Sequence, residues 1–158
     1  MRMTDFVVRE AIISDLTATT REGVIREMIN RLSATGYLRP EDVEDVFREI
    51  MRREQLASTG IGRGIAIPHA KHPSLERLVG TVAVSHAGVP FDSIDREPVH
   101  VFVLLISPKD RPGDHLRALE NVVRRMRDDQ FVRSLQASVD HQQIWELLED
   151  QSRQLEHR

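Results

Sequence analysis

The run Ser58-Thr59-Gly60-Ile61-Gly62-Arg63-Gly64-Ile65-Ala66-Ile67-Pro68-His69 decides how this chain is read. Three glycines at alternate positions open a loop whose amides approach a ligand with no Cβ in the way. Ile65-Ala66-Ile67 reads as a short strand. Pro68 stops it, because proline fixes its own φ and holds the preceding residue in extended geometry. The next residue is His69, which this reading places at a strand end within reach of a second protein. An imidazole with an ordinary pKa of about 6.5 keeps a neutral, nucleophilic nitrogen at cellular pH.

On the N-terminal side the pattern is helical. Phe6-Val7-Val8 reads as a short first strand. A helix then starts near Thr19, which has capping-box spacing to Glu22, and carries Val24, Ile25, Met28, Ile29 and Leu32 at helical period up to Gly36. Pro40 suits the first turn of a second helix, with Val43, Val46, Phe47, Ile50 and Met51 as its apolar stripe. Beyond the glycines, Val79 to Val84 and Val99 to Ile106 are β-rich. Gly88 to Asp92 reads as a turn between them. The second run, unbroken in its apolar character from Val101 to Ile106, is too apolar for an exposed edge and reads as a central strand covered on both faces. Helical period returns from Asp114, with Leu116, Leu119, Val122, Val123 and Met126 on one face. Two further helices are expected, one from Asp128 or Asp129 and one from Asp140. Helices, then strands, then helices imply a sheet between helical layers, with mixed strand directions open. Residues 1–150 form the expected domain, and 151–158 a polar tail.

Composition narrows the function classes. The chain has 158 residues, enough for one domain. A net charge of −3 argues against a nucleic-acid binder. The absence of cysteine excludes disulfides, thiolate metal sites and a cysteine nucleophile. Neither a signal-peptide layout nor a membrane-spanning run is present, so a cytoplasmic protein without membrane insertion is expected.

Four features converge on phosphate chemistry. His69 ends the glycine segment, His115 sits near the start of a predicted helix, Arg53 lies at the end of the second helix, and Ser58 and Thr59 offer hydroxyls beside Gly60 and Gly62. A phosphoryl group needs N–H donors and a guanidinium. A helix N-terminus adds partial positive charge, and a histidine nitrogen can take the phosphoryl group covalently. The bland reading of each is a turn glycine, a packing histidine or a solvated cation. Of the seven histidines, His72, His86, His141 and His157 call for no special role, and His100 reads as a hydrogen-bonded sheet residue. No spacing supports a metal site.

The segment from Arg53 to His69 resembles the active-site segment of the enzyme IIA domain of the bacterial sugar phosphotransferase system, of the fructose–mannitol and nitrogen-regulatory type. The resemblance continues through Val89-Pro90-Phe91-Asp92-Ser93-Ile94-Asp95, Pro98-Val99-His100 and Ser107-Pro108 to His115-Leu116-Arg117-Ala118-Leu119. It implies an α+β fold, a three-layer α/β/α sandwich with a mixed central sheet, of the phosphotransferase/anion-transport-protein type. It implies that His69 is phosphorylated by an HPr-type carrier protein and that the group passes to the cysteine of an enzyme IIB domain. Alternatively, the phosphorylation state regulates transporters, kinases or transcription factors. His115 matches the supporting histidine and Arg53 the accompanying arginine; Ser58, Thr59, Gly60 and Gly62 fall where the family places hydroxyls and amides near phosphate. No cofactor is implied. Two positions depart from the pattern: Ala70, where glycine often follows the histidine, and Arg63, where asparagine is frequent.

Overall fold

Val99–Pro108 forms the central strand, and the rest of the fold is arranged around it. The computed structural model describes residues 1–156. In chain order these give α1 (Arg21–Ala34), α2 (Val43–Leu56), β1 (Gly60–Gly62), β2 (Ile65–Ala66), β3 (His69–His72), β4 (Val79–Val89), β5 (Val99–Pro108), α3 (Pro112–Arg125), α4 (Asp129–Ala137) and α5 (His141–Glu156). β5 pairs antiparallel with β4 on one side and parallel with β2 and β3 on the other, while β1 folds back antiparallel on β2. The sheet is therefore mixed.

Both faces of β5 are covered. Val101, Val103 and Leu105 join a core built with α3, α4 and α5, while Phe102, Leu104 and Ile106 join one built with α1 and α2. All six side chains are sealed from solvent. At about 1.5–3 kcal/mol for each buried aliphatic or aromatic side chain, this strand anchors both layers. The expected sheet between helical layers is the observed one.

Local signals set several boundaries differently from the sequence reading. Thr20, not Thr19, caps α1: its hydroxyl accepts from the Gly23 amide at 3.1 Å. The Glu22 partner is not used; Glu27 instead holds Thr17 and Ala18. Gly36, at φ +90°, ends α1, and Tyr37 N–H reaches back to Leu32 O while Gly36 N–H reaches Ser33 O, the paired bonds of a Schellman end. The expected first strand is reduced to a single bridge, Val7 to Gly80, between two 3-10 turns. β4 continues to Val89, so the turn begins later than expected. α3 begins at Pro112, and Leu116 leaves its predicted apolar face to stand 57% exposed. α5 carries the backbone helically through 151–156, into the expected polar tail; the rest of that tail, 157–158, lies outside the described residues.

Pro68 interrupts a strand rather than ending it. β2 and β3 both run along β5, in register at Ile65–Val101 and His69–Leu105. Between them Pro68 has no N–H to give, but its carbonyl still accepts from Leu105 N–H at 3.0 Å. His69 is thus the first residue of β3, on the edge of the sheet.

Candidate active site

Edge position and strand alternation decide what His69 faces. Ala70 packs into the core under α1 and α2, so His69 and Lys71, one residue to either side, project to the opposite face. α3 supplies His115 there, and the last turns of α2 supply Arg52 and Arg53. Together they line a cleft of about 460 Å³ whose other walls include Glu49, Leu56, Lys109 and Leu119. Four of the lining side chains are Lys or Arg and one is acidic. That acid, Glu49, is already paired with Arg52 at 2.9 Å, so the cleft favours anions.

The two imidazoles sit side by side, ring centroids 5.3 Å apart and tilted by 58°. His69 Nδ1 lies 2.8 Å from Ile67 O. A carbonyl only accepts, so Nδ1 carries the proton and donates, which leaves the lone pair on Nε2. Burial pushes the pKa of His69 below its ordinary value; the Ile67 carbonyl opposes this, and Arg53 and Lys71 add to it. His115 is driven further down, to about 4, by burial first and then by His69 and Lys71. Both shifts favour the neutral ring at pH 7. Among the described residues no hydrogen bond engages either Nε2, and neither atom is one of the sealed, unpartnered ones.

Arg53 is held by its own helix end, donating from Nη1 to Ala57 O at 2.7 Å. The glycine segment makes its contacts outside this cleft. Ser58, Thr59, Gly60 and Gly62 are not among the residues lining the cleft. Ser58 donates to Phe91 O at 2.6 Å and accepts from Gly60 N–H. Thr59 is clamped by buried Glu54, which accepts from both its amide and its hydroxyl. A Cβ on Gly60 would lie 2.2 Å from Ser93 Oγ, so this glycine allows close packing of two loops. Gly62 adopts φ +91° at the end of β1, and Arg63 follows at φ +57°. Asparagine tolerates that left-handed conformation better than arginine does, and Arg63 is tied down by Asp129, Met126 O and, through its amide, Asp95.

Several cleft residues were not singled out from sequence: Arg52, Leu56, Lys71 and Lys109. Lys71 was findable from strand alternation, two residues beyond His69. Ser107, which the sequence offers only as part of the family resemblance, places its hydroxyl 2.5 Å from His115 Nδ1. His72, set aside as ordinary, is buried and held between Asp45 and Ser74. His100 behaves as read, with Nδ1 bonded to Ser85 O at 2.8 Å. Among the described residues no group of three or more His, Asp or Glu side chains could hold a metal ion, and no helix is long and apolar enough to cross a membrane.

Residues 5–151 match the family model for the phosphoenolpyruvate-dependent sugar phosphotransferase system, EIIA 2. The chain belongs to this family. A nitrogen regulatory protein of Bradyrhizobium diazoefficiens is 34% identical over 148 residues, covering 94% of this chain and 95% of that protein. The crystal structure of the nitrogen regulatory protein IIA-Ntr from Neisseria meningitidis superposes with a TM-score of 0.82 at 26% identity, covering 91% of this chain and 97% of that one. Enzyme IIA mannitol, solved in complex with phosphorylated enzyme IIB mannitol from Escherichia coli, shares the fold with a TM-score of 0.72 at 20% identity, over 89% of this chain and 95% of that one. EIIA domains are phosphotransfer components of a transferase system, and this family contains both regulatory and sugar-specific members.

Proposed function

We propose that this EIIA domain carries a phosphoryl group on His69 Nε2, accepts it from the histidine of an HPr-type carrier protein and passes it on. The observation that carries this reading is the bond from His69 Nδ1 to Ile67 O at 2.8 Å. It fixes the tautomer whose Nε2 lone pair is free in a cationic cleft. That lone pair attacks the phosphorus of the donor's phosphohistidine. A new N–P bond forms as the donor's N–P bond breaks, and the released electron pair returns to the donor's ring nitrogen. His69 gives up its Nδ1 proton once Nε2 carries the phosphoryl group, and the donor's released ring takes one up, so no net proton is consumed. Arg53 and His115 stabilise the oxygens of the transferring group, for which positioning and charge do most of the work. The pairing of the mannitol-specific relative with an enzyme IIB supports an IIB-type acceptor for the onward step.

The test is incubation with phosphorylated HPr, followed by mapping of the label. The expected result is one alkali-stable, acid-labile phosphate per chain, lost completely in His69→Ala. Labelling of His69→Ala to the same extent would overturn the assignment.

A second reading has its own support. The near-full-length match at 34% identity is to a nitrogen regulatory protein. In that reading the phosphoryl group is the signal, because a charge of about −1.5 to −2 is enough to open or close an interface. Capture of a partner by only one of the phosphorylated and unphosphorylated forms would favour it, and equal capture would count against it.

A further inference from the structure

Ser107 is fully buried at the end of β5, and its hydroxyl meets His115 Nδ1 at 2.5 Å. Either side of this bond can donate. Were the proton on His115 Nδ1, it would point at Ser107 Oγ and leave the serine's own proton needing another acceptor. Among the described residues His115 Nδ1 is the partner that this hydroxyl has. A buried O–H without an acceptor costs on the order of a lost hydrogen bond or more. If Ser107 donates instead, its proton is satisfied, Nδ1 is satisfied, and the ring proton is forced onto Nε2.

We propose that Ser107 is a positioning residue that donates to His115 Nδ1 and thereby presents Nε2–H of a neutral His115 to the phosphoryl group on His69. This rests on the phosphocarrier reading for its functional consequence, but not for the tautomer itself. The two histidines then hold complementary tautomers. His69 has its proton on Nδ1 and a free lone pair on Nε2; His115 has its lone pair occupied on Nδ1 and a proton on Nε2. One nitrogen attacks, and the other donates to oxygens that can only accept. A lone pair on His115 Nε2 would instead repel those oxygens. The pairing needs no imidazolium, so the support it gives does not require acid. The same logic of a hydroxyl or carboxylate fixing an imidazole tautomer governs other histidine-dependent active sites.

Ring-nitrogen NMR on uniformly 15N-labelled, unphosphorylated protein at pH 7 tests the tautomer directly, with no substitution. The expected spectrum has His115 protonated on Nε2 and His69 protonated on Nδ1. A proton on His115 Nδ1 would overturn the proposal. The second arm is Ser107→Ala, which removes one buried oxygen without adding volume. Phosphoryl uptake from phosphorylated HPr should slow by about tenfold, and the His115 Nδ1 resonance should move towards that of an unbonded nitrogen. A folded Ser107→Ala protein with wild-type uptake rate and an unmoved resonance also sinks the idea. Failure of the phosphocarrier reading is separable: it appears as labelling that survives His69→Ala, whatever the tautomer of His115.

Discussion

Glu54 grips Thr59 from inside the protein: its carboxylate accepts the Thr59 amide at 3.1 Å and the Thr59 hydroxyl as well. Glu54 is only 2% exposed. It lies beside Arg53 in the sequence, yet the two side chains go separate ways, one into the interior and one to the cleft. The end of α2 is thereby locked to the start of the segment that leads through β1 and β2 to His69.

Removing this grip should cost stability. Glu54→Ala leaves a buried amide and hydroxyl without partners, at about 1–3 kcal/mol each, and urea unfolding should show a loss of that order. Glu54→Gln keeps an acceptor for the amide and should stay within about 1 kcal/mol of the parent. The pH dependence separates the two roles of the carboxylate. Burial raises its pKa above the ordinary value, against the pull of Thr59 and the two nearby arginines. A raised carboxyl pKa means that the folded state holds its proton longer than the unfolded one. The contribution is therefore greatest at acid pH and falls as pH rises through the raised value. Subtracting the Glu54→Gln stability curve from the parent's should expose that decline; parallel curves would refute it.

His115 contributes with the opposite slope. Its pKa is lowered from 6.5 to about 4, so the unfolded chain takes up a proton before the folded one does. Stability should be fully present above pH 6.5 and drain away as pH falls towards 4, by about 3 kcal/mol in all. His115→Gln should flatten this part of the stability–pH profile. An unchanged acid limb in His115→Gln would show that the ring titrates normally.

Arg53 acts on His69 through charge. It is one of the two cations that lower the His69 pKa, after burial. Arg53→Gln should therefore raise that pKa, measurable by proton NMR titration, and should weaken the hold on the phosphoryl group. Phosphoryl uptake is expected to fall by about 10- to 100-fold, since a guanidinium bond to phosphate is among the stronger charge-assisted ones. A His69 pKa that stays put or falls would rule out the electrostatic contact.

The legibility of this chain in sequence follows physical lines. Val101 to Ile106 announced a two-face core strand because six successive apolar residues have no solvent side to spare. Gly36 and Asp128 marked helix ends through chemistry local to a few residues. His69 and Arg53 were readable because strand end and helix end are local properties too. Ser107 was harder, since its meaning depends on the parallel register that sets it opposite Lys71 on the neighbouring strand. Ser58 and Thr59 invited a phosphate role because hydroxyls beside glycines suit anions; nothing local signals that Phe91 O and Glu54 occupy those hydroxyls from 33 and 5 residues away. Leu116 failed for a related reason: helical period locates a face, but only the packed neighbours decide whether its rim is covered.

The alternate glycines make the clearest contrast between a ligand role and a packing role. At Gly60 an added Cβ would lie 2.2 Å from Ser93 Oγ, 3.0 Å from Ser93 Cβ and 3.1 Å from Ser93 Cα. Gly60→Ala should thus lose about 1–3 kcal/mol through overpacking and slow phosphoryl uptake only as far as the fold is disturbed. Ser93 Oγ is buried without a hydrogen-bond partner, so Ser93→Gly sacrifices no bond while clearing the two nearest side-chain atoms. In the double variant, stability and uptake should recover together. Were the bare Gly60 backbone required to cradle phosphate, clearing Ser93 would restore the melting temperature and leave uptake depressed. Thermal unfolding and labelling rates on the same three proteins distinguish the two, because packing against Ser93 ties both quantities to one contact.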